Sequence, residues 1–250
     1  MTARSRTGRN RTPIATNRTR MFPFEPIGIV RSCFREKFGI PRQPGLVPAA
    51  RATLELLPAY AQPAIVRGLE DFSHLWLLFV FHSIPRGRWQ PTVRPPRLGG
   101  NRRLGVFATR SPFRPNPLGL SAVKLEQIVI RSGRITLHLA GVDLLDGTPV
   151  LDIKPYIPYA DCLLEATGGF AATTPVTKLT IEFSPQATAF CVNWPDGDLH
   201  QLITQVLRQD PRPAYEQSNA AQQQYGMKLY DFDIKWKISD GTVYVMEILA

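Results

Sequence analysis

The residues of this 250-residue chain that could carry chemistry are arginines, a few histidines and carboxylates in loops, because the familiar nucleophile and metal patterns are missing. The four histidines, His74, His82, His138 and His200, form no HExxH pattern and have no cysteine at metal-ligand spacing. There is no GxSxG and no Ser-His-Asp pattern, which weakens a hydrolase acting on a nucleotide-like ligand. Neither GxGxxG nor GxxxxGK(S/T) occurs, so a nucleotide-like ligand would bind without a glycine-rich helix start. Three loop segments remain. Pro41-Arg42-Gln43-Pro44-Gly45 is rigid and rich in donors, either an ordinary turn or a loop suited to a carboxylate or a base edge. His82-Ser83 runs into a proline-rich loop, and its even spacing from His74 puts both histidines on one face of the apolar run HLWLLFVFH. His74 reads as structural, whereas His82 is balanced between structure and ligand. Asp146-Gly147-Thr148-Pro149 follows the apolar Val142–Leu145 and, taken singly, is only a turn.

Charge says where these loops face. The chain holds 30 Lys and Arg against 20 Asp and Glu, a net +10. Residues 1–20 carry six arginines and no acid. From Phe72 to Leu125 there are nine basic residues and again no acid, including Arg86, Arg88, Arg94, Arg97, Arg102, Arg103 and Arg110. An acid-free stretch of that length points to a polyanion or a phosphate-bearing ligand. Arginine rather than lysine suits bidentate contacts to phosphate or carboxylate. Residues 1–20 have too little apolar surface to offset the entropy of ordering and read as disordered. A dispensable tail is the first reading; an RNA-touching arm, a transit-like peptide and a mis-assigned start stay open. No apolar run approaches the roughly 18 residues of a membrane span, and no secretory leader is visible. Three cysteines without a CxxC pair exclude a disulfide scaffold and suggest a reducing, cytoplasmic setting.

Several elements must position the loops. Ile27–Arg31 is a short β-prone run, and His74–His82 reads as a strand buried on two sides, with a buried helix left open by periodicity alone. Leu104–Thr109, Ser121–Ile130 and Arg134–Ala140 follow as strands, the last two joined by a turn at Arg131-Ser132-Gly133. The proline-rich stretches between them must be loops. Glu165–Pro175 is breaker-rich, as linkers are. Beyond it, Val176–Phe183 reads as a strand and Leu199–Gln209 as an amphipathic helix capped by Asp198 and stopped at Asp210-Pro211. Lys228–Ile238 reads as a strand, turned by Asp240-Gly241 into Val243–Leu249. The fold expected is mainly β: a tail (1–20), a β-rich unit (21–165) and a small α+β unit (166–250).

Together the strings KFGIPRQPGLV (37–47), VRGLEDFSHLWLLFVFH (66–82), PTVRPPRLGGNRRLGVFATRSPFRPNPLGLS (91–121) and VDLLDGTPVLDIKPYIPYAD (142–161) are specific. Residues 25–160 resemble the TsaA-like family, and QDPRPAY (209–215) looks like that family's second domain. The resemblance does not extend to residues 1–20. Its bacterial members are tRNA threonylcarbamoyladenosine N6-methyltransferases. The resemblance implies a single antiparallel β-barrel rather than a Rossmann sheet, S-adenosylmethionine as methyl donor, tRNA as partner, and a homodimer with the cofactor near the subunit interface.

Carried over position by position, the resemblance implies cofactor contacts from Pro41, Arg42, Gln43, His82, Ser83, Arg110, Leu120, Asp146, Gly147, Thr148 and Pro149. On chemical grounds Arg42 or Arg110 suits the donor's carboxylate, Asp146 its ammonium or ribose hydroxyls, and Leu120 its adenine or methionine chain. His82 and Asp146 are the candidates for removing the acceptor's proton. Arg86, Arg88, Arg94, Arg97, Arg102 and Arg103, with Trp89 and Phe107 interleaved, suit RNA. The rival from another class is an RNA-binding module without catalysis, built on the same arginines.

Overall fold

The computed structural model describes residues 22–85, 87–175, 179–213 and 223–250. The tail, Arg86, the start of the Val176–Phe183 run and the end of QDPRPAY lie outside the described residues. The first unit contains strands Gly28–Ser32 (β1), Arg51–Leu56 (β2), His74–Val80 (β3), Thr92–Val93 (β4), Leu104–Gly105 (β5), Leu118–Arg131 (β6), Arg134–Ala140 (β7) and Pro149–Pro155 (β8). Six of them close into a barrel in the order β1-β2-β7-β6-β3-β8, every neighbouring pair antiparallel. Closure removes the open sheet edges that would otherwise template aggregation. The mainly β, non-Rossmann expectation therefore holds.

Alternation explains which side chains fill the barrel. In β3, Leu75, Leu77 and Phe79 point inward and are at most 4% exposed, while Trp76 and Leu78 are half-buried on the outer face. The second apolar row of HLWLLFVFH thus walls a cleft rather than a second core. The chain leaves β3 at Val80, two residues before His82, which sits in a turn donating its backbone N–H to Val80 O at 2.8 Å. The shared strand face expected for His74 and His82 does not exist, because strand parity ends with the strand. β6 is long enough to pair β3 with its first half and β7 with its second, changing register between Leu125 and Gln127. The β6–β7 turn has Ser132 at φ 49° and Gly133 at φ 73°, positive at both central positions as a tight hairpin twisted to match its strands requires.

Leu104–Thr109 is not one strand. Only β5 pairs, with β4, and Val106–Ala108 is a 3-10 turn. Val106 donates to Pro91 O at 3.0 Å and Thr109 caps back onto Val106 O, so the flanking loop takes the bonds a ladder would need.

After a short helix at Pro158–Asp161 (α1), the chain reaches strand Thr180–Phe183 (β9) and helices Pro185–Val192 (α2) and Leu199–Arg208 (α3). Strands Gln224–Leu229 (β10), Phe232–Ser239 (β11) and Thr242–Leu249 (β12) complete a sheet in the order β10-β11-β12-β9, with β9 parallel to β12. Asp198 caps α3 as its sequence promised, accepting from Gln201 N at 2.8 Å, and Leu199, Leu202, Ile203, Val206 and Leu207 are its buried stripe. Lys228–Ile238 is two strands, not one. The chain turns at Tyr230, φ 52°, whose N–H donates to Cys33 O at 2.7 Å. No glycine or proline marks this turn, so alternation alone reads straight through it.

Barrel and C-terminal sheet share one continuous core, from Leu54, Leu77 and Leu137 to Ile203, Ile234 and Trp236. Between them runs the segment from Cys33 to Ala49, tied down by Lys228 N to Glu36 Oε1 at 2.9 Å and Ala49 N to Gln205 Oε1 at 2.9 Å. That segment carries the Arg42 loop, so the second sheet is part of what positions it. Among the described residues no helix is long and apolar enough to cross a membrane.

Candidate active site

A cleft of about 540 Å³ opens beside the β3–β6 wall. Its apolar side is Trp76, Leu78, Phe79, Phe81, Leu118 and Leu120; Leu78 and Leu120 face each other across the ladder. Its polar side comes from four loops: Lys37 and Pro41–Gln43, His82-Ser83, Thr109–Arg114, and Asp143–Leu145 with Thr148. Of the eleven residues expected to hold a cofactor, Pro41, Arg42, Gln43, His82, Ser83, Arg110, Leu120 and Thr148 line this one cavity. Segments 107 residues apart in sequence meet here only because the barrel closes.

Asp146, Gly147 and Pro149 are not among the lining residues. Asp146 Oδ1 accepts from Ser32 N at 2.9 Å, and Oδ2 accepts from Arg35 Nη1 at 2.5 Å, while the other Arg35 nitrogen lies 3.4 Å from Asp231. Both oxygens are committed to holding the turn against β1 and the second sheet. Gly147, at φ 77°, completes that turn and donates to Val30 O at 2.9 Å, and Pro149 begins β8. In this arrangement the Asp146 side chain braces the turn that carries Thr148 into the cleft.

The expected RNA contacts form an arm that springs from the same cleft. Between the His82 and Arg110 loops, β4 and β5 pair, and Arg88, Arg94, Arg102 and Arg103 are exposed around them. Arg103 donates to Thr92 Oγ1 at 3.0 Å, and Arg97 donates to the carbonyl and hydroxyl of Thr173. Trp89 and Phe107 are exposed, and the Arg114 guanidinium lies 5.8 Å from the Phe107 ring centre. Exposed aromatic faces beside guanidiniums suit stacked, unpaired bases.

Electrostatics make the cleft cationic. Lys37, Arg42, Arg110 and Arg114 line it, against one carboxylate, Asp143. Arg110 donates to Gln43 Oε1, so the two loops brace each other. Burial holds the Arg42 guanidinium below its ordinary value, an effect partly reversed by Asp210 beyond the end of α3. Asp210 also accepts two bonds from Arg212, at 2.8 and 2.9 Å, which keep Arg212 above its ordinary value.

Asp143, Ser121, Trp76, Leu78, Phe81 and Arg114 escaped the sequence reading. Asp143 hides inside the apolar Val142–Leu145, where a lone acid was the available signal; Trp76 and Leu78 were legible only as a second apolar face. Ser121 Oγ donates to Asp143 Oδ1 at 2.6 Å. Burial is the largest cause pushing the Asp143 carboxyl up from its ordinary 3.8 to about 6, opposed by Ser121, its own backbone N–H and Arg110. A raised folded-state value means the ionised group opposes folding above pH 6, and that this cost fades as pH falls from about 6 to 4. Asp143→Asn is therefore expected to stabilise the protein by about 1–2 kcal/mol at pH 7.5 and by nearly nothing at pH 4. Urea unfolding at the two pH values measures it; equal midpoints for both proteins at pH 7.5 would refute the account.

The cleft fits S-adenosylmethionine on chemical grounds: aromatic and aliphatic walls for adenine and the methionine chain, guanidiniums for its carboxylate, and a volume typical of small-molecule sites. Fold and site together define a class: a β-barrel enzyme that takes a nucleoside-like cofactor without a Rossmann sheet. Family models described as the tRNA-methyltransferase O N-terminal domain and the TrmO C-terminal domain match residues 29–162 and 176–250. The chain is 48% identical over 221 residues to the tRNA (adenine(37)-N6)-methyltransferase of Escherichia coli (strain K12), covering 88% of this chain and 94% of that one. It is 52% identical over 214 residues to a putative S-adenosylmethionine-dependent methyltransferase, RcsF, of Pseudomonas aeruginosa, covering 84% and 90%. The crystal structure of TrmO from Pseudomonas aeruginosa superimposes with a TM-score of 0.76 at 42% identity, over 92% of this chain and 99% of that one. The chain belongs to the tRNA-methyltransferase O family, and it is an S-adenosylmethionine-dependent tRNA methyltransferase.

Proposed function

We propose that this enzyme methylates N6 of threonylcarbamoyladenosine at position 37 of tRNA, chiefly of the tRNA-Thr class, as a cytoplasmic homodimer. The observation that carries the reading is the convergence of the Arg42, His82, Arg110 and Thr148 segments on one cleft at the root of an arginine-rich arm. The relative named for adenine 37 supports the position of the base. The exposed Leu118 and Leu120 beside the cleft support a second subunit near it. Residues 21–165 would then form the catalytic unit and 166–250 the unit that braces it.

When bound, S-adenosylmethionine supplies a methyl group on a sulfonium. Arg110 and Arg42 hold its carboxylate, while Trp76, Leu78 and Leu120 cover its apolar parts and exclude water. Methyl transfer is an in-line displacement, so the chain contributes mainly by fixing the angle and distance of approach. His82 lines the cleft and is exposed, which supports it as the residue that takes the acceptor's N6 proton. Arg88, Arg94, Arg97, Arg102 and Arg103, with Arg86 in the same stretch, neutralise anticodon-loop phosphates, which makes binding salt-dependent. Nucleoside analysis of tRNA from a strain lacking this protein tests the substrate. The N6-methylated threonylcarbamoyladenosine should vanish there, and an undiminished level refutes the assignment.

A further inference from the structure

We propose that Asp143 is the carboxylate that receives the positive charge of the methyl donor in this cleft. The inference rests on reading the cleft as the cofactor site. The donor brings two cationic groups, a sulfonium and an ammonium, into a cavity already lined by Lys37, Arg42, Arg110 and Arg114. A cation moved out of water among fixed cations needs a counter-charge, and Asp143 is the sole acid among the lining residues. Asp146, which the sequence suggested for this part, has both oxygens engaged elsewhere.

The geometry of Asp143 suits the task. Val142 and Leu144 on either side are buried, at 0% and 1% exposure, and pin its backbone. Ser121 Oγ, 2.6 Å from Oδ1, and the residue's own backbone N–H hold the carboxyl group in place. The groups facing it are the Ser121 hydroxyl from β6 and the Arg110 guanidinium from the loop entering β6; Lys37, Arg42, Arg114 and His82 complete the wall. Burial pushes the carboxyl up to about 6, and an arriving cation pulls it down again. Binding below that value therefore releases a proton, and affinity falls as the medium becomes more acidic.

Calorimetry of S-adenosylmethionine binding to the full chain tests this without reference to turnover. For the wild type, affinity should drop about tenfold from pH 7.5 to pH 5, with proton release seen as a dependence on buffer ionisation enthalpy. Asp143→Asn should bind at least tenfold more weakly at pH 7.5 and lose most of that pH dependence. Because His82 also lines the cleft, the pH arm is read as the difference between the two proteins. Ser121→Ala, which frees the carboxyl group without removing it, should weaken binding by a smaller factor. S-adenosylhomocysteine, which keeps the ammonium and lacks the sulfonium, separates the two cations. Equal weakening of both ligands by Asp143→Asn assigns the ammonium, and weakening of S-adenosylmethionine alone assigns the sulfonium. Affinity within twofold of wild type in Asp143→Asn, or an undiminished pH dependence in that variant, overturns the proposal. Absence of any binding to the wild type overturns the cofactor reading itself, a different result from either.

Discussion

Gly119→Ala should lower stability by about 2–3 kcal/mol and weaken cofactor binding at the same time. Gly119 faces the barrel interior on β6, directly across from Phe79 on β3. An added Cβ would meet Phe79 Cζ at 2.1 Å, Cε2 at 2.4 Å and Cε1 at 2.7 Å, far inside contact distance. The ring cannot simply retreat, being 4% exposed and packed edge-on against Phe81 at 5.1 Å between ring centres. Overpacking of this kind costs about 1–3 kcal/mol because the close-packed interior must shift. Both aromatic rings line the cleft, so the displaced ring moves a binding wall as well. Urea unfolding and calorimetry would report the two effects. Adding Phe79→Leu should recover part of the stability, and a double variant no better than the sum of its parts would contradict direct contact. The glycine is there for space, since its backbone needs no left-handed conformation.

For Arg110→Ala the expected outcome is a 10- to 100-fold weaker affinity for S-adenosylmethionine with an intact fold. A charge-assisted hydrogen bond to a ligand carboxylate is worth about 1.5–3 kcal/mol, which converts to that range. The side chain is exposed and donates to Gln43 Oε1, so its loss leaves no buried group unsatisfied. Arg110→Lys should restore only part of the affinity, because a point charge does not reproduce a planar fork. An unchanged dissociation constant with unchanged melting temperature would remove Arg110 from the site.

How much of the site was legible depended on the kind of signal each residue carries. The arginine stretch and its loops could be read because proline and glycine punctuate locally and charge is visible without a fold. Asp143 could not, since an acid between apolar neighbours reads as an interruption until the fold shows what lies opposite. Asp146 was legible as a turn and illegible as to aim: its side chain points to Arg35 and Ser32, 111 and 114 residues away. Leu104–Thr109 and Lys228–Ile238 misled for a related reason. Alternation describes the chain's preference, whereas strand length is set by which partner is present.

By itself the sequence determined the features whose causes lie within a few residues. The Ser132-Gly133 and Asp240-Gly241 turns follow from backbone positions with positive φ, and the α3 boundaries from a capping carboxylate and a following proline. It also carried strings specific enough to point to the family. Tertiary structure alone decided that β8 closes on β1, that the second sheet braces the Arg42 loop, and that Ser121 meets Asp143 across 22 residues. Those pairings are selected by burial and closure of the whole barrel, and no window of local sequence contains the competing partners among which that selection is made.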